Sequence, residues 1–102
     1  MPNFMFIYHG GGAPAPEDQE RVMAAWGAWM QGLGAAIVDG GAPAGPSKTV
    51  SASGVADDGG SNPVSGYTLV SAKDIDAACA MAAGCPIIDD GGSVEVAQAM
   101  EM

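Results

Sequence analysis

Residues 3 to 9 read Asn-Phe-Met-Phe-Ile-Tyr-His and end against Gly10-Gly11-Gly12. Phe4, Phe6 and Tyr8 alternate with Met5 and Ile7, so a strand here is apolar on both faces. The rest of the chain offers two helical patterns, and two helices cover only one face of a four- or five-stranded sheet. Something else must cover the other face. The simplest cover is a second copy, packed sheet to sheet through a two-fold axis. This one strand therefore predicts a homodimer.

After Pro14 and Pro16, the acids Glu17, Asp18 and Glu20 gather where a helix N-terminus favours negative charge. Val22, Trp26, Trp29, Met30 and Leu33 then form a single apolar stripe that ends at Gly32 and Gly34, the strongest periodic signal in the chain. Ala35 to Asp39 reads as a second strand stopped by Gly40-Gly41. Lys48 to Ala56, with Thr49, Ser51 and Ser53 opposite Val50 and Ala52, reads as a polar edge strand. Asp57 to Pro63 is a loop, and Gly66 to Val70 returns to strand. Ser71-x-x-Asp74 has capping-box spacing before a helix at about 73 to 83 that places Ile75, Ala78, Cys79 and Ala82 on one face. A last strand covers Ser93 to Ala97. The order is β-α-β-(β)-β-α-β in one domain, residues 1–102, with no internal repeat and no linker.

Composition narrows the function. Three Lys plus Arg against 12 Asp plus Glu leave a net charge of −9, which repels a polyanion and gives no phosphate-tracking surface, so nucleic acid is excluded as a partner. No apolar run approaches the roughly 20 residues of a membrane span, and no basic region precedes the first apolar stretch as in a signal peptide. The expectation is a cytoplasmic protein away from membranes, with Cys79 and Cys85 as thiols. With His9 the only histidine, no metal site and no cofactor is expected.

The Tyr-His-Gly-Gly opening, AWGAWMQGLG, VDGG-x-P-x-G, DDGGSNPVSGY, DIDAACAMAAGCP and the closing GGSVEV together resemble the YCII-related proteins, the group that includes the DGPF-domain proteins, over nearly the whole chain. The resemblance implies an α+β, ferredoxin-like β-α-β-β-α-β fold, here with one extra edge strand, assembled as a dimeric α+β barrel. It also implies a cleft containing a histidine and an aspartate, in a group where a related protein acts as a dehydrochlorinase on a chlorinated hydroxyquinol. The helix histidine of that group would fall close to Trp26, and the DGPF motif survives only as Asp58-Gly59.

His9 stands at a strand end beside glycines that let a ligand approach the backbone, and its ordinary pKa of about 6.5 suits acid-base work. Asp39, at the end of the second strand, is its candidate orienting partner, so the pair His9 and Asp39 is the candidate catalytic centre. Tyr8, Gly10, Trp26, Trp29 and Asp58 are the candidate ligand-binding residues. The plain alternatives are a histidine that caps the loop, a turn-forming Asp39, indoles that belong to the core and a solvated Asp58. Cys79 is expected buried and inert, and Cys85, after a helix C-terminus, a poor thiolate. His9-Gly10-Gly11-Gly12 resembles an esterase oxyanion loop but lacks a Gly-x-Ser-x-Gly partner. Gly41 to Thr49 spaces its glycine and lysine wrongly for a phosphate loop.

Two functions compete at this level. One is a small-molecule-binding protein or enzyme of YCII type, with a cleft near His9 that suits an uncharged or aromatic ligand. The other is a non-catalytic dimeric structural or protein-interaction module.

Overall fold

The computed structural model describes residues 1–11 and 15–101; Gly12 and Pro14, read above into the loop after the first strand, lie outside the described residues. Along the chain run β1 (Asn3–His9), α1 (Gln19–Leu33), β2 (Ile37–Pro43), β3 (Thr49–Ser51), β4 (Gly54–Ala56), β5 (Val64–Ser71), α2 (Ile75–Ala82) and β6 (Ser93–Ala99). Four of the strands form one sheet in the order β2-β5-β1-β6, with every pairing antiparallel. The fold is α+β, and two helices on a four-stranded antiparallel sheet are compatible with the ferredoxin-like class.

Strand alternation sorts β1 into two sides. Phe4, Phe6 and Tyr8 are buried together with Val70 of β5 and with Ala78 and Ala82 of α2. Small residues on α2 let that helix sit close to the sheet. Helix α1 adds Trp26, Trp29 and Leu33 to the same side, all only partly buried, as the apolar stripe requires. On the opposite side Met5 is 37% exposed and Tyr67 45%, with Ile7 and Leu69 half-buried beside them. The chain measures 44 × 42 × 18 Å. Its short dimension matches one sheet and one helix layer about 10 Å apart, so a single chain leaves one sheet face uncovered.

Local departures from the sequence reading have identifiable causes. A 3-10 turn at Pro16–Asp18 precedes α1, which ends at Gly34 with φ at 53° and its N–H on the Met30 carbonyl. A second 3-10 turn at Gly34–Ala36 takes up the start of the expected second strand, which instead runs through Gly40 and Gly41. The glycines bend that strand without stopping it, and its register with β5 shifts between Asp39 and Ala42. Gly41 has φ at 73°, and a Cβ there would run into the Tyr67 carbonyl oxygen, so only glycine fits.

The expected extra edge strand at Lys48 to Ala56 is a separate hairpin. Among the described residues β3 and β4 pair only with each other, reversing through Ala52-Ser53 into Gly54, whose φ is 120°. The capping box at Ser71 is also corrected. Ser71 belongs to β5, and Asp74 caps α2 itself by accepting the Ala77 N–H at 2.8 Å. Cys79, expected on the buried side of α2, is exposed, whereas Cys85 is buried. The face of so short a helix is set by Ala78 and Ala82, which leaves Cys79 at the margin.

Candidate functional site

Tyr8 and His9 are neighbours in sequence but point to opposite sides of β1, and this divides the expected site in two. On the helix side, α1 and the β5–β2 edge of the sheet enclose a cavity of about 570 Å³. Its walls include Tyr8, Val22, Trp26, Met30, Thr68 and Ile87, with Gly10, Gly11 and the Gly40–Gly41 backbone at its margins. Tyr8 and Trp26 meet edge to face at 5.1 Å between ring centroids. The volume falls within the range of small-molecule sites, and the lining is predominantly apolar, as in such sites generally.

The polar groups of that wall are ordered. The Tyr8 hydroxyl donates to Thr68 Oγ1 at 2.7 Å, and the Thr68 hydroxyl donates to the Gly40 carbonyl at 3.1 Å. Burial away from water pushes the Tyr8 pKa up to about 12, so the phenol stays neutral across the physiological range. Ser65 also lines the cavity, and its buried hydroxyl has no partner among the described residues. Asp90 is the one charged side chain in the lining among the described residues.

His9 occupies the open side. Its Nε2 faces Glu95 Oε1 at 2.9 Å, and its Nδ1 faces the carbonyls of Asn62 at 3.0 Å and Pro63 at 3.3 Å. Both ring nitrogens thus meet acceptors, and both can donate only as imidazolium. The Glu95 hydrogen bond raises the His9 pKa above its ordinary value, opposed by partial burial and assisted by the two carbonyls. The imidazole also packs closely, with 12% of its side chain accessible.

Asp39 does not meet this ring. Strand β5 stands between β1 and β2, and Asp39 pairs across to Leu69, which in turn faces Met5, well short of the strand end at His9. The Asp39 carboxylate accepts the Gly41 N–H at 2.9 Å and holds the bend of β2. Glu95 takes the place expected of Asp39. It lies diagonally across from His9 on β6, two pairs along from the His9–Ser93 register and so on the same face. Alternation within Ser93-Val94-Glu95 was the available signal, and only the strand order could select it.

The other expected ligand residues also divide. Tyr8, Gly10 and Trp26 line the cavity, but Trp29 does not. Trp29 stacks on Phe6 at 6.2 Å and donates from Nε1 to the Met81 carbonyl at 3.0 Å, tying α1 to α2. Asp58 serves its own turn, accepting the Gly60 N–H at 3.0 Å and, through its carbonyl, the Thr49 hydroxyl. A smaller cavity of about 350 Å³ lies between α2 and β6, bordered by Cys79. Burial pushes the Cys85 thiol up to about 11, leaving it protonated and unreactive. Among the described residues, no three His, Cys, Asp or Glu side chains gather as metal ligands, and no helix is long and apolar enough to cross a membrane.

A titration checks the His9 assignment. A folded-state pKa above the unfolded value means that the His9 contact stabilises the fold fully below about pH 6.5 and that this stabilisation is lost as pH rises through the folded pKa. NMR titration of this single histidine should give a raised value that falls back in Glu95→Gln and is unmoved in Asp39→Asn. A shift that follows Asp39 instead would contradict the pairing. No family model matches the chain, and no curated protein matches it.

Proposed function

We propose that the chain is a YCII-related small-molecule-binding protein that works as a homodimer and takes a ligand with an apolar or aromatic body into the cavity beneath α1. The observation that carries this reading is the 570 Å³ space itself, walled by Tyr8 and Trp26 with an ordered hydroxyl relay in its side. Apolar side chains that could fill such a space are available on α1, yet Met23 is largely exposed at its border. An open, part-polar hollow on that scale suits an occupant better than it suits packing alone.

Binding is favoured over catalysis because His9, the side chain best suited to acid-base work near neutrality, faces away from the cavity. The dimeric α+β barrel is part of the same proposal, with the Met5, Ile7 and Leu69 face of each sheet turned to its partner. The competing reading, a dimeric module with no ligand, draws on that same open face.

Intrinsic fluorescence tests the cavity, since Trp26 forms one wall. A panel of small aromatic compounds should contain members that change the emission saturably, and Val22→Trp, which places bulk in the mouth, should abolish the effect. Saturable binding that survives Val22→Trp unchanged, or none across the panel, would favour the module.

A further inference from the structure

The direction of the hydrogen bonds in the cavity wall selects among ligands. The Gly40 carbonyl can only accept, so the Thr68 hydroxyl must donate to it, and the Thr68 oxygen must therefore receive the Tyr8 proton. Both protons of the relay are committed. What Tyr8 has left to offer is an oxygen lone pair, an acceptor. Ser65 does not discriminate, because a free hydroxyl can turn to donate or accept.

Two further features act in the same sense. Asp90 is the only charged side chain in the lining among the described residues, on a chain whose net charge is −9. The Tyr8 and Trp26 rings, which meet edge to face at 88°, both belong to the lining of the space. An aromatic face attracts a cation within about 6 Å of its centroid, and more strongly where water is excluded. A carboxylate ligand would meet an acceptor, aromatic rings and Asp90, with no Lys or Arg in the lining among the described residues to offset them.

We propose that the cavity is specific for an organic ammonium: a protonated amine on an apolar or aromatic body, its N–H groups directed to the Tyr8 oxygen and its charge balanced by Asp90. This rests on the cavity reading above and specifies the class of its ligand. A neutral isostere loses the attraction to Asp90 and to the rings. An anion of similar shape is repelled by both.

Three probes of one shape test it: 2-phenylethylammonium, neutral 2-phenylethanol and 3-phenylpropanoate, titrated at pH 7 and followed by calorimetry and by the indole N–H resonance of Trp26. The ammonium should bind about tenfold or more tighter than the alcohol, and the carboxylate should not bind. Asp90→Asn should reduce ammonium binding severalfold while leaving the alcohol nearly unchanged, and Tyr8→Phe should weaken the ammonium and the alcohol alike, since both donate to the Tyr8 oxygen. Should Tyr8→Phe perturb the fold, Asp90→Asn, at an exposed position, decides alone. Equal or tighter binding of the alcohol or the carboxylate overturns the ammonium assignment but preserves the cavity as a ligand site. Failure of all three to shift the Trp26 resonance overturns both.

Discussion

Phe6→Ala should cost about 3–5 kcal/mol, the range for emptying a buried aromatic position, out of a total of about 5–15 kcal/mol for a domain this size. Phe6 is 0% exposed and sits at the centre of the contact between sheet and helices, with Trp29 stacked on it. Its removal opens a hole that neither helix can close, because α2 already sits close on Ala78 and Ala82 and α1 is held by the Trp29–Met81 hydrogen bond. Trp29→Ala should cost less than Phe6→Ala, since its indole is only half-buried. Urea unfolding at one fixed protein concentration measures both, with concentration held constant because assembly adds to apparent stability. A loss below about 1 kcal/mol for Phe6, or a larger one for Trp29, would mean that the core lies elsewhere.

What the sequence made legible here is what short-range periodicity can encode. The α1 stripe of Val22, Trp26, Trp29, Met30 and Leu33 and the alternation of β1 both persist in the structure, because each depends only on a residue's position within its own element. Failures occur where a distant strand decides. Gly40-Gly41 reads as a terminator, yet β5 pairs through it, and Tyr67 then excludes any side chain at Gly41. Lys48 to Ala56 alternates as one strand but reverses at Ala52-Ser53 into a hairpin of its own. Asp39 is the partner that the sequence suggests for His9, yet the order β2-β5-β1-β6 puts β5 between them, and Glu95 takes that place. The same alternation that buries Phe4, Phe6 and Tyr8 turns His9 to the other side of β1, away from the Tyr8 pocket. That consequence was present in the sequence, and it moves the candidate site from the imidazole to the Tyr8 phenol.

In the proposed dimer, Ile7→Asp should abolish assembly and leave aggregated or unfolded protein, not a soluble monomer. The open side of the sheet carries Met5 and Ile7 on β1 and Tyr67 and Leu69 on β5, with Ala97 of β6 beside them. A folded monomer of 10.1 kDa ordinarily exposes about 5,300 Å², whereas this chain alone exposes 6631 Å². The excess is on the order of 1,300 Å² per chain, shared by the open sheet face and the exposed β3–β4 hairpin, and the proposed dimer would have to bury roughly 2,000 Å² in total to be obligate. An aspartate at Ile7 would be buried in that contact beside a second carboxylate, since Glu95 stands directly across from it and already takes the His9 ring as its partner. Glu17→Gln, on the exposed turn before α1, changes a charge away from that face and should leave assembly intact. Light scattering at micromolar concentration should give twice the chain mass for the unmodified protein and for Glu17→Gln. A monomer mass for the unmodified protein would remove the dimer, and with it the explanation for two apolar faces on β1.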